Sequence, residues 1–156
     1  MRSRAGDAGS MDDTAKAIIA MLQRDGRAPY ATIAREVGLS EAAVRARVQR
    51  LLENETLQIV AVTDPTQVGF QRQALIGITV RGDIQKVADQ LARLEEAAYV
   101  VVTAGRYDIL IEVVCEDDDH LLDLLGSRIR AVDGVAQTET LMYLNLTKQR
   151  YDWGTR

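Results

Sequence analysis

Residues 31–51 read ATIAREVGLSEAAVRARVQRL. Ile33, Ala34 and Val37 recur at helical spacing and form one apolar face. Gly38 stands where a helix ends on a left-handed residue. Leu39 is placed to plug the turn. Ser40 then suits an N-cap, and Glu41 puts a negative charge at the positive end of the next helix. Val44, Val48, Leu51 and Leu52 make that helix's buried stripe, while Ala42, Arg45, Ala46, Gln49 and Arg50 fall on its open side. A short helix, a glycine turn and a second helix of small and basic residues form a helix-turn-helix. Such a second helix enters the major groove: the alanines allow close approach, and arginine and glutamine donate to phosphates and base edges. The bland alternative is an amphipathic hairpin with a solvated basic face, so the rest of the chain must decide.

On the N-terminal side, Asp12 to Gln23 is expected to be a helix striped by Ala15, Ile18, Ile19 and Leu22. Gly26 ends it, and Pro29 fits the first turn of the next helix. On the C-terminal side, Glu53-Asn54-Glu55-Thr56 is polar, and Leu57 to Val62 is β-branched and reads as a strand. Asp64-Pro65 and Gly69 mark a turn or linker. Three helices with a trailing strand make a compact first domain over 12–60, joined by a linker at 61–72.

The second half changes period. Ala74–Val80, Ala98–Ala104, Tyr107–Cys115 and Val135–Leu146 read as strands. Asp83–Leu94 and Asp118–Ala131 read as helices, the second striped by Leu121, Leu122, Leu125, Ile129 and Val132. This βαββαβ order over 73–150 predicts both helices on one face of a four-stranded antiparallel sheet. Leu141, Tyr143 and Leu144 leave apolar groups for the other face, which a second copy of the chain would cover. Residues 151–156 are a tail.

The chain has 156 residues and a net charge of −4, but the charge is uneven. Residues 1–60 carry nine Lys/Arg against eight Asp/Glu; residues 61–156 carry ten against fifteen. A locally basic reader joined to an acidic module fits that distribution. No apolar run approaches the ~20 residues of a membrane span. Residues 1–11 read as a flexible leader with no secretory core, and Met11 is a possible second start. Cys115, the single cysteine, excludes an intramolecular disulfide, and a cytoplasmic location is the default.

These residues together resemble the Lrp/AsnC (feast/famine) transcription regulators. The matching words are Asp25-Gly26-Arg27, Gly38-Leu39-Ser40, Val44 with Arg47-Val48 and Leu51, and Asp64-Pro65 with Gly69. They continue with Gly105-Arg106-Tyr107-Asp108, Gly134-Val135, Thr138-Glu139-Thr140 and Lys148. The resemblance implies an α+β chain: a winged helix-turn-helix followed by a ferredoxin-like βαββαβ sensing domain. It further implies a non-enzymatic regulator that binds double-stranded DNA, dimerises, and often forms an octamer of four dimers. Small effectors, usually amino acids, bind between the dimers. Two departures stand out: Glu55 occupies a position usually held by glycine, and Glu95-Glu96-Ala97-Ala98 replaces an apolar approach to the second sheet strand.

The expected DNA contacts are Thr32, Ser40, Arg45, Arg47, Gln49 and Arg50. Arg47 lies nearest the buried stripe, where it reaches either a phosphate or an acid of its own domain. The expected effector corner is Thr103, Gly105, Arg106, Tyr107 and Asp108, with Thr138 and Thr140 nearby in the family's fold. Amides near Gly105 suit a carboxylate, and Asp108 either holds an ammonium or orders the loop. The plain alternative for Gly105 is a hairpin turn.

Glu116 to His120 is acidic enough to invite a metal, but adjacent acids at a helix start serve better as caps. His120 is the only histidine, so no histidine-based zinc site is expected. No cofactor is expected, since no Gly-rich phosphate loop or acid–base set occurs. A βαββαβ order also describes an RNA-recognition motif, yet that module stacks bases on sheet aromatics, and Phe70, the only phenylalanine, lies in the linker. A small enzyme ranks last.

Overall fold

The computed structural model describes residues 11–155, so the expected leader lies outside them except for Met11. Two compact units are formed. One takes in the chain up to Ala61 and the residues from Lys148 on; the other is Val62–Thr147.

The first unit holds three helices: α1 (Asp13–Arg24), α2 (Tyr30–Val37) and α3 (Glu41–Glu53). Asp12 caps α1 by accepting from the Ala15 amide at 2.6 Å. Pro29 sits just before α2 rather than inside it, and its carbonyl accepts from Thr32 and Ile33. Gly38 ends α2 at φ 68° and ψ 32°, the left-handed conformation expected of it. Ser40 caps α3 through the Ala43 amide at 3.2 Å. Ile18, Ile33, Val44 and Val48 are fully buried together, with Leu39 and Leu52 packed against them. Each such side chain contributes about 1.5–3 kcal/mol. That packing is what holds three helices too short to persist alone.

The end of α3 follows the glycine position, and the segment after it departs from expectation. Glu55 has φ 55°, the one left-handed non-glycine among the described residues. Its amide donates to Leu52 and the Thr56 amide to Leu51, the paired bonds of a Schellman turn. Glu55 therefore does take up the conformation that glycine holds without strain. The strand expected over Leu57–Val62 is not formed; residues 57–64 have no regular structure, so no strand of a wing is built. β-branched residues favour a strand only where a neighbour completes its backbone bonds. Within this chain the Leu57 amide instead turns back to the Leu51 carbonyl. Gly154, near the C-terminus, donates to the Gln23 side chain at 3.1 Å, tying the tail to α1.

The second unit opens with a 3-10 turn, Pro65–Val68, capped by Asp64. Then come β1 (Arg72–Val80), α4 (Ile84–Leu91), β2 (Ala97–Val102), β3 (Ile109–Cys115), α5 (Asp118–Asp123) and β4 (Val135–Met142). The sheet order is β2-β3-β1-β4 with every pairing antiparallel, as a βαββαβ chain requires. Ala74, Ile76 and Ile78 of β1 and Ile109, Ile111 and Val113 of β3 pack under Val87 and Leu91 of α4 and Leu124 and Ile129. The opposite face carries Leu75, Leu110, Tyr99 and Leu141, the last two 55% and 45% exposed.

Two expectations shift here. The helix expected to run from 118 to 131 becomes π-helical over Leu124–Ile129, with the Arg130 amide bonding Leu125. The wider turn lets Leu124 and Ile129, five apart, both reach the core. Leu122, expected in the stripe, is 69% exposed instead. The last strand stops at Met142, four residues short of the expected end. Tyr143 makes one more rung to Gln73, and β1 begins at Arg72, so nothing remains to pair with.

Candidate DNA interface and effector cleft

On α3, Ala42, Arg45, Ala46, Gln49 and Arg50 are exposed, while Val44 and Val48 are buried. Arg45 pairs with Glu41 at 2.9 Å and lies over the Tyr30 ring, 5.2 Å from its centroid. Gln49 donates to Glu53 at 3.0 Å. Arg50 bonds the Ala46 carbonyl at 3.4 Å. Thr32 accepts from Arg35 at 3.4 Å on the exposed surface of α2. Arg47 takes the second of its two expected roles: Nη1 donates to Asp12 at 2.6 Å. That bond is the chief cause holding the Asp12 carboxyl below its ordinary range. Asp12 thus caps α1 with one oxygen and grips α3 with the other, a contact that sequence spacing could not show. A pocket of about 200 Å3 beside it is lined by Ala15, Arg47, Arg50, Leu51 and Asn54.

In the sheet unit an open cleft of about 500 Å3 lies beside β1 and β4. Of the seven expected effector residues it gathers Arg106, Tyr107 and Thr138. Gly77, Thr79, Arg130, Ala136, Gln137 and Glu139 complete the lining, and the sequence reading had not named them as site residues. The register supplies the missing signal. Gly77 faces Glu139 across β1 and β4, so a bare position opens directly beside a carboxylate.

Tyr107 lays its ring over Gly77 and donates its hydroxyl to Glu139 Oε2. That bond is the main reason the phenol is harder to ionise than usual. Arg106 pairs with the same Oε2 at 3.0 Å and stands over the Tyr107 ring. Arg130 donates to Thr138 Oγ1 at 3.1 Å.

The remaining expected residues do not line the cleft, and two of them, Asp108 and Thr103, hold the corner together. Asp108 accepts from the Val80 amide at 2.7 Å, and its own amide donates to Ile78. Of its two readings, loop ordering has this geometry behind it: one carboxylate oxygen holds the end of β1. Thr103 donates its hydroxyl to the Tyr107 carbonyl at 2.6 Å, closing the turn. Gly105 is exposed with open space around it. Thr140 stands opposite Ile76 on β4, on the helix-covered side. Further along, Asp117 caps α5 by accepting from the His120 amide at 2.8 Å, as the helix-start reading of that acidic run requires.

Residues 11–52 match the AsnC-type helix-turn-helix domain, and residues 73–153 match the Lrp/AsnC ligand binding domain. The chain belongs to the Lrp/AsnC family. Its members are transcriptional regulators and not enzymes. The Lrp/AsnC-type regulator FL11 of Pyrococcus furiosus is 33% identical over 146 residues, covering 90% of this chain and 94% of its own. The leucine response regulatory protein LrpA of Mycobacterium tuberculosis is 30% identical with a TM-score of 0.81, over 89% of this chain and 96% of its own. The regulator NMB0573 of Neisseria meningitidis, solved as a complex with L-Met, shares the fold. Its TM-score is 0.79 at 20% identity, covering 92% of this chain and 96% of its own. The Lrp/AsnC chain described above is therefore a transcriptional regulator with a DNA-binding and a ligand-binding domain.

Proposed function

We propose that the chain reads specific DNA sequences through α3 and that an amino acid in the Arg106–Glu139 cleft modulates its assembly or DNA affinity. Residues 12–60 would serve as the reader and 73–150 as the sensor. The observation that carries the sensor is the solvent-exposed ion pair at 3.0 Å on the wall of an open polar cleft. An amino acid presents adjacent opposite charges of its own. Laid across the pair, its carboxylate meets Arg106 and its ammonium meets Glu139. Thr138 supplies a further hydroxyl. The L-Met complex of a protein with this fold supports an amino acid over other small molecules.

On the reader, Arg45, Gln49 and Arg50 supply base and phosphate contacts, with Thr32 and Ser40 at the flank. Arg47 and Arg50 border a pocket of about 200 Å3, where their guanidinium groups can meet a phosphate. The protein acts as a cytoplasmic homodimer, joined through the sheet face that exposes Tyr99 and Leu141, and as an octamer of four dimers with the effector between them. Recognition helices of a dimer then meet major grooves about 34 Å apart. The effector acts only by binding one assembly more tightly than another.

The test is selection of bound sequences from random duplex DNA by the full chain. Affinity and sedimentation of the selected complex are then measured with each amino acid in turn. A recovered palindrome-like site whose binding or assembly shifts with one amino acid is expected. Recovery of random sequence removes the specific-reader reading, and indifference to all amino acids removes the effector reading.

A further inference from the structure

Arg106 is neutralised by Glu139, whereas Arg130 is not paired with a carboxylate among the described residues. Its Nε donates to the neutral Thr138 hydroxyl at 3.1 Å. The cleft thus holds two guanidinium groups and one carboxylate, an excess of one positive charge. Its lining is as informative for what it omits. Gly77 and Ala136 are its small apolar residues and Tyr107 its ring; no leucine, isoleucine, valine, methionine or phenylalanine lines it. A large apolar side chain would find little area there to bury.

We propose that the effector is an acidic amino acid, an α-amino dicarboxylate, and that Arg130 is the residue that selects it. This rests on the amino-acid reading of the cleft given above. The zwitterion end occupies Arg106 and Glu139, which leaves Arg130 for the side chain. An acidic side chain brings the ligand's charge to −1 and neutralises the cleft. A neutral side chain leaves Arg130 without a counter-charge, and a basic one adds a third cation. The planar guanidinium fork also matches a carboxylate in two parallel bonds, which a hydroxyl or amide cannot reproduce. Glu139 makes the complementary demand: a dicarboxylate lacking the ammonium is repelled by it.

The experiment is calorimetric titration of the full chain at low ionic strength with L-glutamate, L-aspartate, L-leucine, L-lysine and 2-oxoglutarate. It is repeated with Arg130→Gln, whose side chain is exposed, after a thermal melt confirms that the variant folds. The better of glutamate and aspartate is expected to bind up to about fivefold tighter than leucine, the factor that one partly exposed ion pair provides. Lysine is expected to bind most weakly, and 2-oxoglutarate more weakly than glutamate. Arg130→Gln is expected to bring the acidic amino acids down by the same factor. Equal affinity for glutamate and leucine overturns the proposal, as does a preference untouched by Arg130→Gln. Binding of 2-oxoglutarate as tight as glutamate overturns the amino requirement. Binding of none of the five overturns the proposal, and a response to another amino acid in the full screen would keep the amino-acid reading.

Discussion

The ring of Tyr107 lies flat on Gly77, so close that a Cβ built on the glycine would stand 2.6 Å from the ring's Cγ. Gly77 is fully inside the sheet and carries no left-handed backbone. It is needed for space and not for conformation. Gly77→Ala is expected to lift the ring, break the hydroxyl bond to Glu139 and cost about 1–3 kcal/mol as an overpacked site. Denaturant unfolding checks the cost, and tyrosine fluorescence or ring NMR shifts check the displacement. Unchanged stability together with an unmoved ring would mean the sheet yields instead.

Glu55 holds a left-handed conformation that costs a residue with a Cβ about 1–2 kcal/mol. Glu55→Gly is expected to raise stability by up to about 1 kcal/mol, because the added freedom of glycine in the unfolded chain offsets part of the relief. The readout is the urea midpoint at unchanged slope. A lower midpoint would show that contacts of the Glu55 side chain outweigh the strain.

Arg50 reaches no carboxylate at hydrogen-bonding distance among the described residues, whereas Arg45 and Arg47 are already paired. It is the recognition-helix arginine that gives up least on meeting a phosphate. Arg50→Ala is expected to weaken DNA binding and to reduce the slope of log affinity against log salt by about 0.9. A salt titration by fluorescence anisotropy measures both. An unaltered slope removes Arg50 from the phosphate contacts.

Glu96 answers the second sequence departure. Its side chain is 10% exposed and bonds His120 Nε2 at 3.0 Å and Arg128, fastening the helix that follows β3 to the start of β2. Burial pushes its carboxyl up, but the bonds from His120, the backbone and Arg128 outweigh that and hold it below the ordinary range. The folded state therefore binds a proton less readily than the unfolded one. The stabilisation is complete above the unfolded value of about 4.3 and is lost as pH falls through the folded value. Thermal melts are expected to lose stability steeply below about pH 4.3, and Glu96→Gln is expected to flatten that slope. Equal slopes in the two proteins would place the acid sensitivity elsewhere.

Sequence alone determined what depends on neighbours along the chain. Helix faces, the Gly38 turn, the Ser40 cap and the βαββαβ order all follow from period and local backbone chemistry. So did the glycine-like backbone at Glu55. Tertiary structure decided what depends on partners distant in sequence. Leu57–Val62 has strand composition but no partner strand among the described residues, so it forms none. The bond of Arg47 to Asp12, 35 residues away, is one that spacing along the chain could not show. The cleft divides in the same way. Arg106 and Tyr107 were visible in a loop word, and Thr138 in the words the family shares. Glu139 stands in the same word without being named as a site residue, and it enters with Gly77 and Arg130 because strand register and helix placement bring three separate segments to one opening. Asp108, which read either as an ammonium holder or as a loop-ordering group, gives one carboxylate oxygen to the Val80 amide because folding brings that amide within its reach.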